Sequence, residues 1–124
     1  EFTKRTRKLK TAGMPNKSYE CPKTSNYEAT TYTSGQLTPA FVKAANLANV
    51  KKMIGKNKYP HPYANHERLP FECGSNKWEF PLDRDSPGQV YSGGEVTTFP
   101  DRLIFEFRGA KTEGIAKFCG IIRH

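Results

Sequence analysis

The chain has 124 residues, is 35% hydrophobic and carries a net charge of +8. That length makes one domain with a modest core, and no apolar run approaches the roughly 18 residues of a membrane helix. The charge is uneven: residues 1–58 hold 12 Lys/Arg against 3 acids, a net of +9, and residues 59–124 hold 8 against 9, a net of −1. A basic surface of this kind attracts polyanions, nucleic acid first, although charge alone is equally consistent with a solvated face.

In chain order, residues 1–18 read as a basic, flexible N-terminal arm, either a tail or a loose hairpin. Lys4, Arg5, Arg7, Lys8 and Lys10 supply its charge, and Gly13, Pro15 and Asn16 break any pattern. The folded domain then runs over 19–124. Helical spacing predicts one helix over 38–54. Thr38 would cap it, with Pro39 at its first position. Phe41, Val42, Ala45, Leu47, Ala48, Met53 and Ile54 form its apolar face, with Lys51 and Lys52 in the last turn and Gly55 as the stop. Beyond it, short apolar runs at Trp78–Leu82, Gln89–Tyr91, Leu103–Phe107 and Ile115–Ile122 alternate with the turns Asp85-Ser86-Pro87-Gly88 and Ser92-Gly93-Gly94. These read as antiparallel strands. The fold class is therefore α+β, one α-helix packed on a twisted sheet.

Between helix and strands lies Lys58-Tyr59-Pro60-His61-Pro62-Tyr63-Ala64-Asn65-His66-Glu67, which gathers two histidines, two tyrosines, an asparagine and a carboxylate into one stretch. Its prolines fix φ and push the residues before them toward extended geometry, so an extended or edge-strand segment is expected. Glu79 sits between aromatics in Trp78-Glu79-Phe80, where alternation sets it on the opposite face from both. Arg102 precedes Leu103-Ile104-Phe105, and His124 follows Gly120-Ile121-Ile122-Arg123. A base, an acid and cations for phosphoryl oxygens are what a metal-free phosphodiester transfer requires. By pattern alone the signal is weak, because a strand Glu–Arg pair is ordinarily a surface ion pair.

Three cysteines are present, without the CxxC spacing of a zinc site. Their odd number leaves a free thiol or a partner outside this chain. One disulfide formed in an oxidising compartment is the economical account of the other two.

Five motifs in order add a resemblance: Tyr59-Pro60-His61-x-Tyr63, Trp78-Glu79-Phe80-Pro81-Leu82, Val90-Tyr91-Ser92-Gly93-Gly94, Asp101-Arg102-Leu103-Ile104-Phe105 and Phe118-Cys119-Gly120-Ile121-Ile122-x-His124. The sequence resembles the small secreted fungal ribonucleases of the T1/U2 type, including their ribotoxin branch, over about residues 19–124. Tyr19-Glu20-Cys21 matches the start of their N-terminal strand. The resemblance implies a helix on a central, strongly twisted antiparallel sheet. It implies a catalytic set of His61, Glu79, Arg102 and His124, with Tyr59 beside the phosphate and Tyr63, Asn65, His66 and Glu67 in the base-recognition loop. It further implies a Cys73–Cys119 disulfide, no metal or other cofactor, secretion after loss of a signal peptide, RNA as partner, no membrane span, and a monomer.

The family chain continues to a final cysteine whose partner would correspond to Cys21. Either a C-terminal segment is missing here or Cys21 is unpaired. The interval between His61 and Glu79, residues 62–78, lacks the long lysine-rich loop of ribotoxins. The resemblance implies an endoribonuclease cleaving single-stranded RNA after guanine to a 2′,3′-cyclic phosphate. The alternatives are an RNase-like secreted effector that binds RNA or a host protein without cutting, and a ribosome-targeting ribotoxin.

Overall fold

The computed structural model describes residues 8–63, 73–74, 76–109 and 112–123. Its elements are β1 (Lys8–Ala12), β2 (Tyr19–Cys21), β3 (Thr30–Tyr32), α1 (Ser34–Asn49), β4 (His61–Pro62), β5 (Lys77–Pro81), β6 (Asp101–Gly109) and β7 (Glu113–Arg123). A five-stranded sheet has the order β1-β7-β6-β5-β4, and β2 and β3 form a separate antiparallel pair. The α+β class follows as expected, antiparallel through β4–β7. The exception is β1, which joins the edge parallel to β7. Lys8–Ala12, read from sequence as part of a loose arm, is thus a strand. Only Leu9 packs toward the core, so the run shows no alternation, and backbone pairing with β7 makes the strand.

The helix starts and stops earlier than its periodicity suggests. Thr33 is the N-cap, its side chain accepting from Gln36 N–H while the Gln36 side chain accepts from Thr33 N–H. That reciprocal box outranks Thr38 as the starting signal. Pro39 lies inside the helix, where its missing N–H leaves only the carbonyl of exposed Gly35 to solvent. At the other end Lys51 takes a left-handed conformation with φ 58°. The Lys51 N–H donates to Ala48 C=O and the Lys52 N–H to Leu47 C=O. This is a Schellman ending with lysine where glycine is usual, which hides the stop from a sequence reader. Met53 and Ile54 therefore lie past the helix. The Gln89–Tyr91 run makes only a single bridge, Val90 to Leu82.

The helix buries Leu37, Ala40, Phe41, Ala44, Ala45 and Ala48. Phe41 meets Phe105 and Phe118 edge-to-face, at 6.2 and 6.0 Å between ring centres. Such pairs add to the apolar burial itself. The helix therefore covers the sheet face of Phe105, and alternation assigns its partner Trp78 to the same face. Glu79, Ile104 and Arg102 take the other face. Between Ile104 and Phe105 the register slips, because Gly120 pairs with Ile104 and Phe118 with Phe105. Cys119 is the extra residue of that bulge, and its sulfur is bonded to Cys73 across a Cα–Cα distance of 5.8 Å. The expected disulfide is present, and Cys21 is a buried free thiol.

Candidate active site

Three strands bring the site together. His61 on β4 is the register partner of Glu79 on β5, which is in turn the partner of Ile104 on β6. Arg102 lies two residues before Ile104, on the same face and diagonal to Glu79. The expected edge-strand reading of Pro60-His61-Pro62 fits β4, the last strand of the sheet. Tyr59 enters from a short loop closed by mutual backbone hydrogen bonds with Ile54, at 2.9 and 2.7 Å.

His61 Nε2 lies 3.0 Å from Glu79 Oε2. Its Nδ1 faces the carbonyls of Asn57 and Lys58, both at 3.3 Å. Carbonyls only accept, so Nδ1 carries a proton. The contact at Nε2 then needs one further proton, held by the imidazole or by the carboxyl.

Arg102 approaches the other carboxylate oxygen, with Nε 3.5 Å from Glu79 Oε1. It is almost entirely buried. Its Nη1 donates to the carbonyls of Phe99 and Asp101, and its Nη2 donates to the Tyr59 hydroxyl at 3.2 Å. The guanidinium also lies 5.3 Å from the centre of the Tyr59 ring. Arg102 Nε makes no hydrogen bond among the described residues. A buried donor in that state is costly unless a ligand oxygen completes it, and an anionic oxygen placed near Glu79 would do so. Tyr59 stacks on His61 at 4.3 Å and 30°. Since its hydroxyl already accepts from Arg102, its proton is left to donate.

Behind this group stands Tyr91, edge-on to Tyr59 at 6.0 Å and to Phe80 at 5.6 Å, its hydroxyl donating to Gly94 C=O at 2.8 Å. A side chain at Gly55 would meet that hydroxyl at 2.1 Å, and the Gly55 backbone has φ +79°, so only glycine fits. The Val90–Gly94 motif is therefore a buttress for Tyr59.

A second buried cluster flanks the site. Asp101, fully buried, accepts from Tyr32 at 2.6 Å and from Arg123 at 2.6 and 3.0 Å. Burial alone would raise the Asp101 carboxyl, but the hydrogen bonds from Arg123 and Tyr32 outweigh it and hold the group below its ordinary range. The same contact raises Arg123. Burial and then the bond to Asp101 raise the Tyr32 hydroxyl. Burial, followed by the Asp101 charge, pushes the Cys21 thiol up to about 12. Sequence reading passes over Asp101, Arg123 and Tyr91 as site-forming residues. The only signal for the first two is a charged residue at the end of each of two apolar strands.

Of the sequence-predicted site residues, the structure brings together Tyr59, His61, Glu79 and Arg102. Tyr63 continues the β4 pairing, its N–H donating to Lys77 C=O at 2.8 Å. Asn65, His66, Glu67 and His124 lie outside the described residues.

A carboxylate–imidazole pair beside a buried guanidinium, on the sheet face turned away from the helix, is an arrangement suited to proton transfer next to an anionic ester. The chain belongs to the ribonuclease family, whose model matches residues 20–124. It is 35% identical over 93 residues to guanyl-specific ribonuclease T1 of Aspergillus oryzae, covering 75% of this chain and 63% of that protein. It is 30% identical over 74 residues to guanyl-specific ribonuclease Ap1 of Aspergillus pallidus, covering 60% and 67%, and to ribonuclease C2 of Aspergillus clavatus, covering 60% and 53%. The chain thus spans between about half and two thirds of these relatives.

Proposed function

We propose that the chain is an endoribonuclease that cuts single-stranded RNA, preferring guanine, by transfer to a 2′,3′-cyclic phosphate. The observation that carries this reading is the Glu79 carboxylate held between His61 and Arg102. Glu79, ionised, takes the proton of a ribose 2′-OH. That oxygen attacks the adjacent phosphorus in line, and the bond to the 5′-oxygen breaks. His124, protonated, gives the leaving oxygen its proton. Charge on the phosphoryl oxygens is met by Arg102 Nε, by the Tyr59 hydroxyl and by His61. The attacking group is the 2′-OH itself, so DNA is no substrate. The names of the relatives support guanine as the base, read by Glu67 with Tyr63, Asn65 and His66 around it.

The Cys73–Cys119 disulfide suits a secreted protein, working as a monomer. The short interval between His61 and Glu79 favours a plain ribonuclease over a ribotoxin, and the intact Tyr59–His61–Glu79–Arg102 group favours an enzyme over a non-cutting effector. The test is product analysis of GpC cleavage. Guanosine 2′,3′-cyclic phosphate and cytidine are expected, with 2′-deoxy GpC untouched. A linear phosphate formed with no cyclic precursor, or cleavage of the deoxy analogue, contradicts the reading.

A further inference from the structure

On the sheet face opposite Glu79, a groove of about 440 Å³ opens between the end of α1 and strands β5 and β6. Trp78, Phe107, Pro60, Ala48 and Met53 line it, with Lys51 and Lys52 at its rim. None of the described lining residues is acidic. Trp78 is only half-buried and Met53 is 52% exposed. Both lysines are exposed, and their two charges outweigh the half charge of the helix C-terminus beside them.

The groove is joined to the site through single peptide bonds. Trp78 precedes Glu79, and Pro60 lies between Tyr59 and His61. Beyond β5 the sheet carries only β4, two residues long, at its edge. Lys56 and Lys58, between Lys52 and His61 in the chain, are exposed as well, with Lys56 4.0 Å from Glu95. An aromatic floor with cations at its rim is the chemistry that takes an unpaired base and its flanking phosphates.

We propose that this groove is an accessory docking site for single-stranded RNA. One base beyond the scissile dinucleotide lies on Trp78, with the neighbouring phosphates on Lys51 and Lys52, the strand having passed around the β4 edge. The proposal rests on the reading that the chain acts on RNA, and it adds a second point of attachment remote from the reacting atoms.

Trp78 is the single tryptophan of the chain, so its emission reports the groove directly. The probe is a 2′-O-methyl dodecanucleotide, which cannot be cut, compared with 2′-O-methyl GpC. Saturable quenching by the dodecamer and little by the dinucleotide is expected, with dodecamer affinity about 5- to 150-fold higher for the stacked base. In a Lys51→Asn/Lys52→Gln variant, the slope of log affinity against log salt should shrink by about 1.4, at roughly 0.7 for each phosphate no longer held by a lysine. Asn tolerates the left-handed backbone at position 51. A dodecamer that fails to bind or binds without quenching, a slope unchanged in the variant, or equal quenching by an oligoglutamate peptide would overturn the proposal. Cleavage of GpC, followed in parallel, reports the reaction site separately. Its failure would sink the ribonuclease reading while leaving the docking result to stand on binding.

Discussion

Asp101 and Arg123 face each other as register partners across β6 and β7, and together they leave no guanidinium donor idle. Arg123 Nε and Nη2 donate to the carboxylate, Nη2 also to Thr30 Oγ1 at 3.1 Å, and Nη1 to the carbonyls of Pro22 and Glu28 at 2.9 and 2.8 Å. The pair ties the β2–β3 hairpin and its connecting loop to the sheet. Each partner is also the chain neighbour of a proposed catalytic residue, Asp101 of Arg102 and Arg123 of His124. Removing one side of such a buried pair strands the other. Arg123→Met should therefore cost about 3–5 kcal/mol of folding stability, measured by urea unfolding. A loss under about 1 kcal/mol would show the pair to be dispensable.

The same pair sets the acid limit of stability. The Asp101 carboxyl is depressed in the folded chain from its ordinary value of 3.8. Its contribution is complete above that value, and is lost as pH falls from about 4 through the lower folded value. Between about pH 5 and 2 the unfolding free energy of the intact protein should fall more steeply than that of Asp101→Asn. Parallel curves would mean that Asp101 does not titrate against folding.

The disulfide closes a loop with a sequence separation of 46. The chain-entropy model gives about 4 kcal/mol for that length. Cys73→Ser/Cys119→Ser should lose on that order. In non-reducing peptide maps Cys73 and Cys119 should appear joined. Cys21, buried and with its thiol pushed up to about 12, should resist alkylation near pH 8 until the protein is unfolded. Rapid native alkylation of Cys21 would contradict the buried cluster around Asp101.

Base preference should depend on Glu67. Guanine presents N1–H and its amino group as donors, and a carboxylate accepts from both, whereas adenine presents a lone pair at N1. Leaving a buried polar group unpaired costs about 1–3 kcal/mol, or roughly 5- to 150-fold in rate for each such mismatch. GpC should be cut faster than ApC by that margin, and Glu67→Gln should narrow it. Equal rates in the intact protein would remove the assignment.

The legible parts of this fold are those written in side-chain pattern. His61, Glu79 and Arg102 stand in motifs, and strand alternation correctly separates Glu79 from Trp78. The helix announces itself by period, but its ends do not. The cap lies in Thr33-Ser34-Gly35-Gln36, ahead of the apolar face, and the stop is a left-handed lysine. Nothing in Lys8–Ala12 marks a strand, because its order comes from backbone pairing with β7. The Asp101–Arg123 pair is invisible for another reason. Its partners are far apart in sequence, and a charged residue at a strand end ordinarily faces solvent. Gly55 becomes meaningful only once Tyr91 is seen against it.

The central claim is that Glu79 takes the 2′-OH proton. It is tested most directly by the rate of GpC cleavage in EDTA, for the intact protein and for Glu79→Gln, with folding of both verified by circular dichroism. Loss of a general base typically costs on the order of 10²–10⁴-fold, and the intact protein should show an undiminished rate in EDTA with a bell-shaped pH profile. A folded Glu79→Gln protein that cuts GpC as fast as the intact one, or an intact protein silenced by EDTA, would contradict the account.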